Sequence, residues 1–497
     1  MNIQLAILDI LKNTGEKTLY QINDEKITYK ECYKRVIELA GNLIKQGTSP
    51  VVVYGHKSID QFISIIACLI AKRSYIPIDL CTPSSRIKEI VDSAKATLII
   101  QNEKLEINST ECLTITEINK KYENKLEKFS SNNEIAYIIY TSGSTGMAKG
   151  VPITYHNLSH FINWIINLEE HKDCDDLNIL SQASFSFDLS LMDLYFAIFK
   201  HNHIIAVDGE TKEDLTKMYN TIKNNEINYL IMTPTFAKML LIDDYFKDDN
   251  FKSIKYMFFC GECLEVETVK KIKTRFPNVI VINAYGPTEA TCCVTMQIIN
   301  DKMLEKNILP VGKISTAAVA IEIKNNEIVL KGDSVFNGYL DGNNQNCYHE
   351  NEINCYKTGD IGYIENDYLY CQGRLDNQIK YQGYRIELND IENNLLKIKG
   401  VREACVIAKY KDDNKTVRLI KAFVTTDADL TDLDIKSKLA TLIPHYMIPK
   451  KIVIIDEIPV NDNGKYDRKK LTKLWQIYMT YYIQYVKMNM YMIKILI

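Results

Sequence analysis

The chain has almost no net charge: 60 lysines and arginines face 63 aspartates and glutamates in 497 residues, leaving −3. A balance this even excludes a broad electrostatic surface for nucleic acid as the main business of the protein. Arginine is scarce, nine of the 60 cations. Lysine is therefore the default, and an arginine kept in such a chain answers a need that lysine cannot meet, a planar bidentate fork. Thirteen cysteines are an odd number spread along a long chain, which is no disulfide scaffold. The first 17 residues lack a basic n-region, and Asp9 interrupts their apolar stretch, so no secretory signal is expected. A reducing, cytoplasmic setting follows. No internal repeat is visible. The remaining composition, 46% hydrophobic and 25% charged, is that of a globular protein with a sizeable core, in two or three domains.

Short apolar runs of strand length recur at Val51–Tyr54, Thr97–Ile100, Ile135–Tyr140, His203–Val207, Asn228–Met232, Lys255–Phe259 and Val279–Ile282. Helical patterns lie between several of them. Leu158, Phe161, Ile162, Ile165 and Ile166 keep one face, and Glu210–Lys223, Val266–Arg275 and Leu189–Phe199 read similarly. Such alternation predicts βαβ units and largely parallel, buried sheets. After about residue 310 the texture changes to short strands and Gly/Asn/Asp turns, and Asn389–Asp456 is again βαβ-like. The fold class is α/β with a smaller C-terminal unit. Residues 474–497 differ from everything before them, with five Tyr, four Met, two Lys and no acid. Their longest uncharged run, Leu474–Val486, is 13 residues, short of the ~20 of a transmembrane helix. A non-functional extension and a membrane-surface helix both stay open for this tail.

The densest chemistry is the stretch Tyr140–Gly150, reading YTSGSTGMAKG, between an apolar strand and an amphipathic helix. Gly143, Gly146 and Gly150 let the backbone fold tightly, while hydroxyls and Lys149 add donors and one positive charge. This composition suits a phosphate cradle. The Walker A spacing is absent here, at Gly312-Lys313 and at Gly464-Lys465.

Thr141–Gly150 resembles the phosphate loop of the adenylate-forming (ANL) superfamily, whose members make acyl-AMP from a carboxylic acid and ATP. Later segments are similar to its other motifs, in the same order: Asn283–Thr291, Tyr356–Asp360, Gly373–Lys380 with Gly383–Glu387, and Pro459–Lys465. The likeness covers roughly residues 1–472. Ala148 departs from it, since proline is usual there. The resemblance implies a large N-terminal domain with several subdomains, residues 1–375, and a small mobile α+β domain, residues 376–473, pivoting at Asp376.

It implies further that Thr141, Ser142, Gly143, Ser144, Thr145, Gly146 and Lys149 meet the phosphates of ATP. Asn283, Ala284, Tyr285, Gly286, Pro287 and Thr288 frame the nucleotide, with Tyr285 a flat face for adenine. Asp360 suits paired ribose hydroxyls, with Gly373 and Arg374 beside it. Glu289 would hold Mg2+ through oxygen. Lys465 reads by composition as a solvated turn lysine; the resemblance instead makes it the catalytic cation bridging substrate carboxylate and phosphate. Bringing two anions together needs positioning and charge neutralisation above all, and these residue types supply both.

Phe185–Ser190 is similar to the amino-acid-activating branch, in which Asp188 receives the substrate ammonium. Asp188 could equally cap the following helix, and the two roles are compatible. Within that branch the chain is most similar to free-standing ligases that load D-alanine onto the phosphopantetheine thiol of a carrier protein for teichoic-acid D-alanylation. There the residues matching Cys260 and Cys292 are pocket walls. A peptide-synthetase adenylation domain for another small amino acid, and a non-catalytic nucleotide-binding protein, remain alternatives. Cys260-Gly-Glu-Cys263 also permits a redox pair, though pocket and core cysteines fit it better. No nucleic-acid partner and no membrane insertion are required.

Overall fold

Most central strands in this chain are four residues long and largely apolar, so they are stable only when both faces are covered. The computed structural model describes residues 1–105, 107, 110–121, 134–143, 146–410, 416–460, 466–468 and 470–473. Two units emerge, one of residues 1–141, 148–376 and 382–385, the other of 142–147, 377–381 and 386 onward.

The first unit holds three sheets. In one, the strands Ile280–Tyr285, Tyr256–Phe259, Tyr229–Met232, Asn178–Ser181, His203–Ala206 and Thr18–Ile22 run parallel in that order, with antiparallel edges Thr295–Ile298 and Glu25–Thr28. In the second, Glu111–Leu113, Leu98–Gln101, Val51–Tyr54, Tyr75–Ile78 and Ile135–Thr141 are parallel, and Lys149–Thr154 closes the edge antiparallel. Every expected parallel strand is present, within three residues at each end. The third sheet is antiparallel and carries Glu327–Lys331, Ile353–Glu365 and Tyr368–Arg374.

The structure departs from the sequence reading in three places. The phosphate-loop stretch does not open a helix; it joins Ile135–Thr141 to the antiparallel strand Lys149–Thr154, and the helix Tyr155–Asn167 follows that strand. No helix terminus therefore stands at this stretch. The expected helix over 210–223 is two, Gly209–Glu213 and Leu215–Asn224, because the Asp214 side chain caps the second on Thr216 and Lys217 N–H. The expected helix over 189–199 is present from residue 190 but contains a π-turn, Met192–Phe196, running into Ala197–Phe199.

That π-turn carries Asp193, which shares a fully enclosed site with Lys57. Lys57 Nζ donates to Ser181 Oγ at 2.6 Å, lies 3.6 Å from Asp193 Oδ2 and sits 4.1 Å above the Phe185 ring. Ser181 Oγ in turn donates to Asp193 at 2.7 Å. Burial drags the Lys57 ammonium down to about 8 and pushes the Asp193 carboxyl up to about 6, so both charges are held at a cost.

The second unit packs the helices Leu388–Leu396 and Asp432–Leu439 with a sheet in which Val401–Tyr410 is antiparallel to Val417–Thr426, itself parallel to Lys451–Ile454. Cys405, Ile407, Phe423, Ile458 and Leu471 form its core. Lys465 and residues 474–497 lie outside the described residues. Among those described, no helix is long and apolar enough to cross a membrane.

Breaking the buried pair from one side should be costly. Lys57→Met is expected to lose about 3–5 kcal/mol in urea unfolding, and adding Asp193→Leu to recover most of it. Asp193 titrates above its unfolded value, so the contribution of its proton is present in acid and lost as pH rises through about 6. The Lys57→Met deficit should accordingly grow across that pH range. Equal losses in the single and double variants, flat with pH, would contradict this account.

Candidate active site

The TGD and GR motifs meet because Asp360 and Arg374 are directly opposed across the hairpin of Ile353–Glu365 and Tyr368–Arg374. Arg374 Nη1 donates to Asp360 Oδ1 at 2.6 Å, while Nε and Nη2 each reach one oxygen of Asp376 at 2.7 Å. Nη2 also reaches the Thr358 carbonyl at 3.1 Å. This is the planar fork that scarcity of arginine foreshadows. Gly359 makes room for it: at φ +74°, a Cβ there would stand 2.8 Å from Arg374 Nη2 and 3.0 Å from Asp376 Oδ2. The other Asp360 oxygen accepts the Tyr285 hydroxyl at 2.7 Å, so the Tyr285 ring is fixed at the end of Ile280–Tyr285.

The loop after that strand turns sharply. Gly286 is required by close approach, since a Cβ would meet Cys293 Cα at 2.5 Å and the Cys292 carbonyl at 2.6 Å. Thr291 takes φ +79°, ψ −61°, an uncommon conformation for a β-branched residue, and its hydroxyl donates to the Ser334 carbonyl at 2.9 Å. Between them, Thr288 Oγ1 donates to Asp188 Oδ2 at 2.5 Å. Asp188 is therefore turned toward this loop; the π-turn that follows it begins at Leu191 with no side-chain cap.

Cys260, Cys292 and Cys293 are all buried around the same place. The Cys292 thiol is pushed well up by its hydrogen bond with Cys293, by burial, and by the neighbouring charges of Asp188 and Asp193. A thiol held toward its protonated form is a poor nucleophile. Cys263 is exposed while Cys260 is buried, and neither forms a disulfide. No group of three or more metal-ligating side chains exists among the described residues.

Glu289 is fully buried and already engaged. Its carboxylate takes Arg385 Nη1 at 2.5 Å and the Tyr339 hydroxyl at 2.5 Å. Burial works to raise its pKa, but the guanidinium outweighs burial and holds it below the usual range. Lys149 Nζ lies 5.6 Å over the same Tyr339 ring. Glu262 accepts the backbone N–H of Thr235 at 2.9 Å and of Gly383 at 2.7 Å, tying the Arg385 segment to the strand that ends in Cys260. Thr141 ends its strand, and Asn283 donates to the Pro310 carbonyl at 2.9 Å beneath the loop.

In the second unit, Ser142 Oγ accepts the Glu387 N–H at 2.9 Å, and the Gly143 N–H points to Asp390 Oδ2 at 3.3 Å. Gly146, φ +81°, has its Cβ space filled by Asn393 at 2.6 Å. An aspartate thus stands on a loop amide as an anion would. Ser144, Thr145 and Lys465 lie outside the described residues. Sequence reading assigned no role to Arg385, Tyr339, Asp390, Lys57 or Asp193; of these only Arg385 carried a signal, as one of nine arginines inside a quoted motif.

Residues 9–340 match the family model for the AMP-binding enzyme, and residues 390–465 that for the AMP-binding enzyme C-terminal domain. D-alanine–D-alanyl carrier protein ligase of Listeria monocytogenes serotype 4b is 35% identical over 504 residues, covering 94% of this chain and 98% of that protein. The protein of that name from Staphylococcus haemolyticus is 34% identical over 478 residues, covering 94% and 98%. Among solved structures, the Vibrio cholerae adenylation domain AlmE with glycyl-adenosine-5'-phosphate superposes with TM-score 0.81 at 20% identity, covering 95% of this chain and 97% of that one. A Bacillus subtilis o-succinylbenzoate CoA synthetase gives 0.80 at 17%, covering 94% and 98%.

If the Arg374 fork organises these carboxylates, Arg374→Lys should cost about 2–3 kcal/mol of stability in urea unfolding. Asp376→Asn should cost less, because Asp360 keeps its guanidinium. A lysine variant as stable as the parent would show that the planar geometry is immaterial.

Proposed function

The chain belongs to the AMP-binding enzyme family, and from that premise we propose that it activates D-alanine with ATP and passes the D-alanyl group to the phosphopantetheine thiol of a carrier protein. The observation that carries this reading is Asp188, a buried carboxylate steadied by Thr288 with the small thiols of Cys292 and Cys293 near it. A substrate ammonium would meet that buried carboxylate as its counter-charge, which a fatty acid does not offer. Cys260 and Cys292 then bound a space suited to a methyl side chain.

The nucleotide end follows the same logic. Asp360 spends two acceptor sites on Tyr285 and Arg374, and its remaining lone pairs suit a ribose diol. Tyr285 lends its ring to adenine, framed by Asn283, Ala284, Gly286, Pro287, Thr288 and Gly373. Thr141, Ser142, Gly143, Gly146 and Lys149, with Ser144 and Thr145, meet the phosphates. Asp390 must then leave the Gly143 amide, an exchange of one anion for another.

Glu289 fits Mg2+ as a buried, ionised oxygen donor, provided Arg385 yields it. Magnesium, when bound, spreads the phosphate charge. Lys465 neutralises the attacking carboxylate and the α-phosphate, and Asp376 is the pivot on which the C-terminal domain turns for the thiol step. The setting is cytoplasmic, with no nucleic acid, and the carrier takes the product onward to teichoic acid.

The test is amino-acid-dependent ATP–pyrophosphate exchange with D-Ala, L-Ala, Gly, D-Ser and a short fatty acid. D-alanine is expected to dominate, and Asp188→Ala to lower that exchange at least ~100-fold, the scale of an unpaired buried charge. Exchange with a different amino acid would replace the substrate and keep the mechanism. Silence with all five would leave a nucleotide-binding protein without this chemistry.

A further inference from the structure

His56 and Asp79 follow the neighbouring parallel strands Val51–Tyr54 and Tyr75–Ile78, whose last residues are paired, so both side chains emerge side by side at the carboxyl ends. His56 Nδ1 lies 2.7 Å from Asp79 Oδ2. Ser184, from the loop after Asn178–Ser181 in the other sheet, donates to the same oxygen at 2.5 Å. The Cys81 N–H reaches Asp79 Oδ1 at 3.4 Å. Burial opposes ionisation of Asp79, yet these hydrogen bonds, that of His56 foremost, hold it at about 2. An ionised carboxylate only accepts, so Nδ1 carries the proton and Nε2 presents a lone pair.

That nitrogen is enclosed and has no hydrogen-bond partner among the described residues. An enclosed acceptor left unpaired is costly and calls for an explanation. The surroundings supply one. Ser184 is four residues from Asp188 on one loop, and Phe187 between them packs on Tyr384 at 6.3 Å between ring centres. The dyad therefore adjoins the substrate pocket, at the strand ends where ligands of parallel sheets bind. A histidine oriented by a buried aspartate, with its second nitrogen unpaired, is the arrangement of a general base.

We infer that His56, oriented by Asp79, accepts the proton of the incoming carrier thiol. In this step the S–H proton passes to Nε2, and sulfur attacks the carbonyl carbon of the aminoacyl adenylate. A C–S bond forms, the C–O bond to phosphate breaks, and AMP leaves with that electron pair. The imidazolium, stabilised by Asp79, returns its proton to solvent. Asp79 and Asp208 are the anions facing His56; Lys212 and the thiol of Cys81 lie against Asp79, and Tyr384 closes the same side.

The inference rests on the ligase reading, and measuring the two half-reactions separately keeps the two apart. D-alanine-dependent exchange in the parent tests the ligase; single-turnover transfer from the adenylate to pantetheine and to a phosphopantetheine-loaded carrier tests His56. His56→Gln is expected to keep exchange within about threefold while transfer falls about 100-fold near neutral pH. The deficit should narrow as pH rises and the thiol ionises unaided. Asp79→Asn, which loses the acceptor that sets the tautomer, should show the same pattern. Unchanged transfer, a deficit constant with pH, or exchange and transfer falling together in both variants would each overturn the assignment.

Discussion

Parallel strands covered on both faces can carry almost no polar chemistry along their length, so it collects where they end. Two such sheets build the first unit, and their carboxyl ends deliver His56, Asp79, Ser184, Asp188, Cys260 and Tyr285 from segments more than 200 residues apart. None of these side chains could be placed mid-strand without losing apolar burial. The architecture therefore chooses the location of the chemistry before any particular residue chooses its kind.

Buried charge is then managed pair by pair. Asp360 and Asp376 share Arg374, Glu289 has Arg385, and Asp193 has Lys57. The first two pairs use guanidinium forks, which lose less on leaving water and bond in a plane. The third uses an ammonium, and its groups are displaced toward neutrality by burial. Such pairs are weak sources of stability but strong constraints on arrangement. Arg374 links Asp360 to Asp376, and Glu262 links the Gly383 backbone to that of Thr235.

Two polar positions, an amide and a carboxylate, are covered by the chain's own charged groups. Asp390 stands at the Gly143 amide, and Arg385 covers the Glu289 carboxylate.

The strands and the order of motifs were legible in the chain, because apolar period and short motifs are local properties; Asp188, Asp360, Arg374 and Glu289 were singled out through the motifs' resemblance to a family. The hairpin behind Tyr140–Gly150, the π-turn at Met192–Phe196 and the split at Asp214 were not. Each depends on what a neighbouring strand or cap offers, which no window of sequence contains. Lys57 and Asp193 stayed hidden for the same reason, being 136 positions apart and ordinary in composition. Sequence by itself determined which strands could be buried, and so where polar groups must gather. Tertiary structure alone decided which of those groups face one another, because electrostatic pairing acts through distance in space and not along the chain.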